Sequence, residues 1–125
     1  MAGPTFFPRT LETYLPSAAR TTHPTAVGVD QGAYRGIKFY IDISAFSGTS
    51  ITFTVQALDP ISGVASTVLA SAAKSATGAF TLTVYPGSAT AANVSLQDAA
   101  PRRWQITTSG TITSVTYSIS YERLA

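Results

Sequence analysis

Residues 36–43 read Gly36-Ile37-Lys38-Phe39-Tyr40-Ile41-Asp42-Ile43. Successive side chains of a strand point to opposite sides, so Ile37, Phe39, Ile41 and Ile43 share one face, and Lys38, Tyr40 and Asp42 share the other. The stretch predicts a half-buried strand with a wet outer face. Residues 50–58 repeat the pattern, with Ile51, Phe53, Val55 and Ala57 inward and Thr52, Thr54 and Gln56 outward. Ser47-Gly48-Thr49 between them suits a short turn, which predicts that the two strands pair as an antiparallel hairpin.

The same reading extends along the chain. Asp59-Pro60-Ile61-Ser62-Gly63 ends the second strand, because proline cannot donate to a ladder and Asp-Pro followed by Gly is turn chemistry. Residues 64–73 suit either a short helix, by their Ala and Leu content, or a strand, which Thr67-Val68 favours. Residues 79–85 alternate again, with Phe80, Leu82 and Val84 on one face, and stop at Pro86-Gly87. Residues 88–100 read as a loop between sheets with a helical turn at 89–94. Residues 103–108 and 114–121 are two more strands joined at Ser109-Gly110-Thr111, the second with Val115, Tyr117, Ile119 and Tyr121 on one face. Short strands at regular spacing with Gly and Pro turns predict an all-β fold, an antiparallel β-sandwich of jelly-roll or immunoglobulin-like wiring.

Residues 1–30 differ. Pro4, Pro8, Pro16 and Pro24 break up Phe6-Phe7, Leu11 and Tyr14-Leu15 and keep the backbone extended. This predicts an extended N-terminal arm over residues 1–30 ahead of a sandwich domain over 31–125, with no core element in the arm. Adjacent phenylalanines on a tail are apolar surface of the kind that marks binding sites. The tail lies back on its own domain, docks on a neighbouring subunit, or is disordered. Phe6, Phe7, Leu11 and Tyr14, with Arg102 and Arg103 of the Pro101-Arg102-Arg103-Trp104 run, are therefore the candidate subunit contacts. Trp104 itself is expected in the core, beside Ile106. The two arginines suit an ion pair with Asp98 or one across an interface.

Charged residues are 11% of the 125, against about 25% in an ordinary soluble domain, and there is no cysteine. Low charge and 45% hydrophobic content exclude a disordered chain, and the missing cysteine excludes a disulfide scaffold. Ser and Thr, about a quarter of the chain, interrupt every apolar run, so no membrane-spanning stretch is expected. The net charge of +2 is spread thinly, which gives no footprint for nucleic acid or an anionic membrane. The N-terminus has no signal-peptide pattern, so use without export by that route is expected.

Catalytic chemistry has few candidates. His23 is the single histidine and lies between Thr22 and Pro24, and it is expected to be a surface residue. The carboxylates Glu12, Asp30, Asp42, Asp59, Asp98 and Glu122 are scattered, with Asp59 and Asp98 suited to turns and Asp42 to the polar face of its strand. A glycosidase-type pair among them is not ruled out by sequence. No phosphate-binding loop is present. Asn93-Val94-Ser95 matches the glycosylation sequon with no export signal beside it. The expectation is a protein that is not an enzyme, with no cofactor and no metal.

A set of segments carries a resemblance: Ser17-Ala18-Ala19-Arg20-Thr21, Asp30-Gln31, Arg35-Gly36, Phe53-Thr54-Val55-Gln56, Asp59-Pro60-Ile61-Ser62-Gly63, Leu69-Ala70-Ser71-Ala72-Ala73 to Thr77-Gly78, Val84-Tyr85-Pro86-Gly87, Pro101-Arg102-Arg103-Trp104 and Ser114-Val115-Thr116-Tyr117-Ser118. Over residues 17–122 the chain resembles a family of small proteins encoded among the virion structural genes of tailed bacteriophages. The resemblance implies a structural part of the particle, foremost a head decoration (cement) protein that clamps capsid subunits. It also implies a small β-rich domain, a trimer in many such proteins, with the major capsid protein or another virion protein as partner. It brings no catalytic residues. A tail or collar component is the nearest alternative. A carbohydrate-binding module stacking sugars on Tyr34, Tyr40 or Tyr85 is a more distant one.

Overall fold

The computed structural model describes residues 10–125. Among them are nine strands and no helix: β1 Thr10–Arg20, β2 Val29–Asp30, β3 Gly36–Gly48, β4 Thr52–Leu58, β5 Ala65–Ala70, β6 Gly78–Val84, β7 Ser95–Leu96, β8 Arg103–Ser109 and β9 Ile112–Leu124. They form a five-stranded sheet in the order β1-β9-β3-β6-β7 and a four-stranded sheet in the order β2-β8-β4-β5. All pairings are antiparallel except the short β6–β7 pair. The all-β class holds, and residues 65–70 are strand rather than helix.

Alternation in sequence becomes burial. Ile37, Phe39, Ile41 and Ile43 of β3, Phe53 and Val55 of β4, Leu82 and Val84 of β6, and Val115, Tyr117, Ile119 and Tyr121 of β9 all lie in one core between the sheets. Aromatic rings fill its middle. Trp104 meets Phe39 at 4.9 Å and Tyr121 at 4.8 Å between ring centroids, and Phe53 meets Tyr117 at 5.1 Å, all edge to face. Such pairs contribute about 0.5–1.5 kcal/mol each beyond the area they bury. Trp104 is fully buried, as expected.

The expected hairpin between residues 36–43 and 50–58 does not form. Both flanks of β3 are already paired, to β9 on one side and β6 on the other. β4 lies in the other sheet, between β8 and β5. The physical reason lies in the two apolar faces: the chain turns a corner at residues 48–51, so the faces of β3 and β4 meet across the core. The same holds for β8 and β9, whose link at Gly110 also changes sheet. Gly110 has φ 112°, and a Cβ there would lie 2.4 Å from the Ser50 carbonyl oxygen, so only glycine fits this corner.

Residues 10–30, expected as an arm without a core element, are built into the fold. Thr10–Arg20 is an edge strand paired to β9, and Tyr14 and Leu15 pack against the core. Proline does not forbid this, because Pro16 sits at an edge and the register shifts on either side of Leu15. The next residues cross to the other sheet and line the edge of β8. Asp30 and Val29 pair with Arg103 and Trp104. Further on, the Tyr14 hydroxyl donates to the Val27 carbonyl at 2.8 Å and accepts the N–H groups of Val27 at 3.0 Å and Ile106 at 3.3 Å. His23 closes the line, with Nδ1 2.8 Å from the Thr108 hydroxyl and Nε2 2.9 Å from the Gly110 carbonyl. Residues 88–100 hold no helix, but a single turn at 91–95 is closed by the N–H groups of Val94 and Ser95 on the Ala91 carbonyl. Asn93, at φ 63°, tips a hydrogen-bonded turn and donates its amide to the Ala70 carbonyl at 3.0 Å, tying the opposite sheet edges together.

Gln31 is the one buried amide side chain. Its Oε1 accepts the indole N–H of Trp104 at 2.8 Å, and its Nε2 donates to the Gly36 carbonyl at 2.8 Å. Truncation leaves both partners without their bonds in a dry core. Gln31→Ala is expected to lower stability by about 1–3 kcal/mol through the unsatisfied groups alone. A urea unfolding curve with a lower midpoint and an unchanged slope checks this.

Candidate functional site

Among the described residues no group of three or more His, Cys, Asp and Glu side chains is placed to hold a metal ion. The carboxylates have structural employment. Glu12 forms an ion pair with Arg123 and accepts the Tyr121 hydroxyl at 3.1 Å, while Arg123 also donates to the Asp30 carbonyl at 3.0 Å. Asp30 Oδ1 accepts the Gly32 N–H, Asp98 Oδ1 that of Ala99, and Glu122 the hydroxyl of Tyr40. Asp42 stands exposed on the outer face of β3, as its alternation predicts.

Asp59 organises the β4–β5 turn. Its Oδ1 accepts the N–H groups of Ile61 at 2.8 Å and Ser62 at 3.0 Å, and its backbone closes the loop through Gly63 and Val64. The backbone N–H of Ser62, then that of Ile61, holds the carboxyl below its ordinary value of 3.8. Two phenols shift the other way. Burial pushes up Tyr117, and burial followed by the hydrogen bond to Glu12 pushes up Tyr121.

The candidate subunit contacts fall in different places. Leu11 is 72% exposed on β1, beside Glu122 in the register. Tyr14, by contrast, is half-buried and spends its hydroxyl on Val27 and Ile106, so it serves the fold. Arg102 and Arg103 are both exposed. The Arg103 guanidinium lies over Gly28, and no ion pair joins either arginine to Asp98 among the described residues. Phe6 and Phe7 lie outside the described residues. Of the three tyrosines considered for sugar stacking, Tyr40 stands on the outer face of the five-stranded sheet. Tyr34 lies 6.0 Å below Arg123, and Tyr85 packs between Gly36 and Gly87.

Two broad surfaces and one apolar corner remain. Across the five-stranded sheet the outward rows are Ser120–Tyr40–Thr81 and Ser118–Asp42–Ala79. On the other sheet they are Thr107–Thr54–Ala70 and Gln105–Gln56–Thr67, the two glutamines bonded to each other at 2.8 Å. On the four-stranded sheet hydroxyls and amides take the positions where charges are usual, whereas the five-stranded face carries Asp42 and the row Glu122–Lys38–Thr83. The corner is the β4–β5 turn, where Ile61 is 97% and Val64 66% exposed. Sequence reading placed the turn but not this patch, whose signal is an isoleucine set between proline and Ser-Gly with no strand face to join.

Comparison with known proteins finds the fold elsewhere. No family model matches the chain, and no curated protein matches it in sequence. The SPBc2 prophage-derived protein YomS has the same fold, with a TM-score of 0.59 over the whole of both chains at 13% identity. A second solved structure, from Bacillus endospore appendages described as a novel family of disulfide-linked pili, gives a TM-score of 0.48 at 12% identity, covering all of this chain and 95% of that one.

Two pH effects follow. Since the folded Asp59 titrates below its unfolded value, its contribution is complete above that value and is lost as the pH falls through the folded one. Asp59→Asn is therefore expected to lose less melting temperature than the parent between about pH 5 and about pH 2. For Tyr117 and Tyr121 the folded values are raised, so their contribution is present below 10.0 and is lost as the pH rises through the folded values. Ultraviolet titration of the folded protein is expected to show these two phenols ionising late, and only after unfolding if the fold fails first.

Proposed function

We propose that the protein is a non-enzymatic structural component of a tailed-phage particle, with a decoration role on the head as the leading assignment. The observation that carries this reading is the outer face of the four-stranded sheet, whose central rows Thr107–Thr54–Ala70 and Gln105–Gln56–Thr67 bear no charge. A face covered by neighbouring subunits must not bury unpaired charge, and a hydroxyl is far less costly to cover. The shared fold with a prophage-derived protein supports a phage setting. The strand order supports it further on our reading, as the jelly-roll member of the two expected wirings: β1 to β4 alternate between sheets, and β5, β6, β8 and β9 do so again.

The partners in this reading are the major capsid protein or another virion protein and further copies of the chain, a trimer being the favoured assembly, with neither nucleic acid nor membrane involved. Multivalent attachment makes individually weak contacts tight together. A tail or collar position is the second reading, because the same neutral faces suit any packed assembly. Because residues 10–20 are a strand of the sheet, the arm of this reading is residues 1–9, which lie outside the described residues.

Gold-labelled antibody on purified particles tests the assignment. Label on heads at symmetric positions is expected. Label confined to tails moves the protein to the second reading, and particles that carry none of it overturn both. Deleting residues 1–9 is expected to lower retention on particles at least several-fold while leaving the circular dichroism spectrum unchanged.

A further inference from the structure

β5 closes one end of the four-stranded sheet, with β4 on its inner side. Among the described residues, the single hydrogen bond it makes to anything but β4 comes from the Asn93 amide to the Ala70 carbonyl. The direction of its backbone follows from the turn before it. The Asp59 N–H donates to the Val64 carbonyl at 3.0 Å, so alternation aims the backbone groups of Ser66 at β4 as well, and those of Ala65 and Thr67 away from the sheet. Outward N–H and C=O groups are a template for a further strand, and proteins commonly blunt such an edge with charge or proline. β1, the long edge of the other sheet, has Glu12, Pro16 and Arg20 and two register shifts. Ala65-Ser66-Thr67-Val68-Leu69-Ala70 has one register shift, at Val68, and neither charge nor proline. We propose that β5 of one copy pairs antiparallel with β5 of a second copy about a two-fold axis at Ser66, joining two four-stranded sheets into one. The contact stands on the edge of β5 and does not depend on the virion assignment, whose favoured trimer needs a further surface.

The strand is complementary to itself in three respects. With Ser66 on the axis, Ala65 stands opposite Thr67 of the second copy and Thr67 opposite its Ala65, so the outward backbone groups form two hydrogen-bonded pairs that flank the axis. Charge agrees, because a strand that pairs with itself is destabilised where like charges oppose each other, and this one has none to oppose. The ends agree as well. Val64, 66% exposed, comes opposite Val68 of the second copy, which packs half-buried against the core, so the apolar layer between the sheets continues across the axis. The same pairing brings the Ile61 turn of each copy to the Ala70 end of the other, where Asn93 is tied and Val94 is 50% exposed. Because a two-fold contact is isologous, each copy covers the other's exposed residues by the same means. A segment this short buries well under the roughly 1,600 Å² of a standard interface, so the pair is expected to form and dissociate with concentration.

The chain has no cysteine, so a single introduced thiol can form a disulfide only with a second copy. Ser66→Cys in the full chain places that thiol on the axis, where opposed Cβ atoms are about 4.5–5.5 Å apart. Thr111→Cys places one at the exposed link between β8 and β9. Under the same mild oxidant the Ser66→Cys protein is expected to form disulfide-linked dimer several-fold faster than the Thr111→Cys protein. Adding Ala65→Lys and Thr67→Lys to Ser66→Cys sets lysine against lysine on both sides of the axis, and is expected to bring the rate down to that of Thr111→Cys. Adding Ala65→Lys with Thr67→Glu instead sets each lysine against the second copy's glutamate, and is expected to restore the faster rate. All these positions are exposed, and an unchanged circular dichroism spectrum accompanies each result. Equal rates for Ser66→Cys and Thr111→Cys, no loss with the two lysines, or no recovery with the lysine and glutamate each overturn the proposal. Purified protein alone is used, so this result and the particle labelling fail independently of each other.

Discussion

The hydrogen bond from the Trp104 indole to the Gln31 side chain is the constraint around which the rest is arranged. A tryptophan supplies more buried surface than any other side chain here, but its N–H must find an acceptor away from water. Gln31 provides one, and its own amide then requires the Gly36 carbonyl at the start of β3. One residue therefore fixes the four-stranded sheet, through Trp104, against the five-stranded sheet, through Gly36. The Phe39 and Tyr121 rings close around the indole from the opposite layer. If the amide is removed, the largest core residue keeps its shape and loses its reason for sitting at that depth.

The second organising element is the strap formed by residues 10–30. It edges one sheet as β1, then crosses and satisfies the open edge of β8 by three different means: backbone pairing at Val29 and Asp30, a hydroxyl from Tyr14, and an imidazole from His23. An uncovered sheet edge is a template for unwanted pairing, and covering it is a common solution. On the far side Asn93 performs a smaller version of the same task at Ala70. The β8 edge is thus occupied from within the chain, while the β4–β5 corner, with Ile61 and Val64, faces outward.

Sequence reading recovered faces better than partners. A period of two tells which side of a strand is apolar, and for Ile37 through Ile43 and Val115 through Tyr121 every residue assigned inward is buried. It carries no information on which strand lies alongside, so a short Gly-containing turn after β3 was read as a hairpin when it is a corner between sheets. Local turn chemistry was fully legible at Asp59, where every bond lies within five residues. Pro16 misled, because proline was weighed against a strand in general and not against an edge strand with bulges. Gln31 and the Glu12–Arg123 pair were invisible for a common reason: each is a single polar residue whose partner is distant along the chain.

The pairing of β1 with β9 bears on how the protein is made. β9, the last strand, is inserted between β1, the first, and β3. The five-stranded sheet is incomplete until residues near 124 have left the ribosome, and until then β1 has no strand partner and β3 has only β6. Such long-range topology folds slowly and exposes edges meanwhile. A nascent chain of this kind gains from having hydroxyls rather than further hydrophobes on the outward positions of its strands, because the unfinished sheet then exposes less apolar surface while it waits.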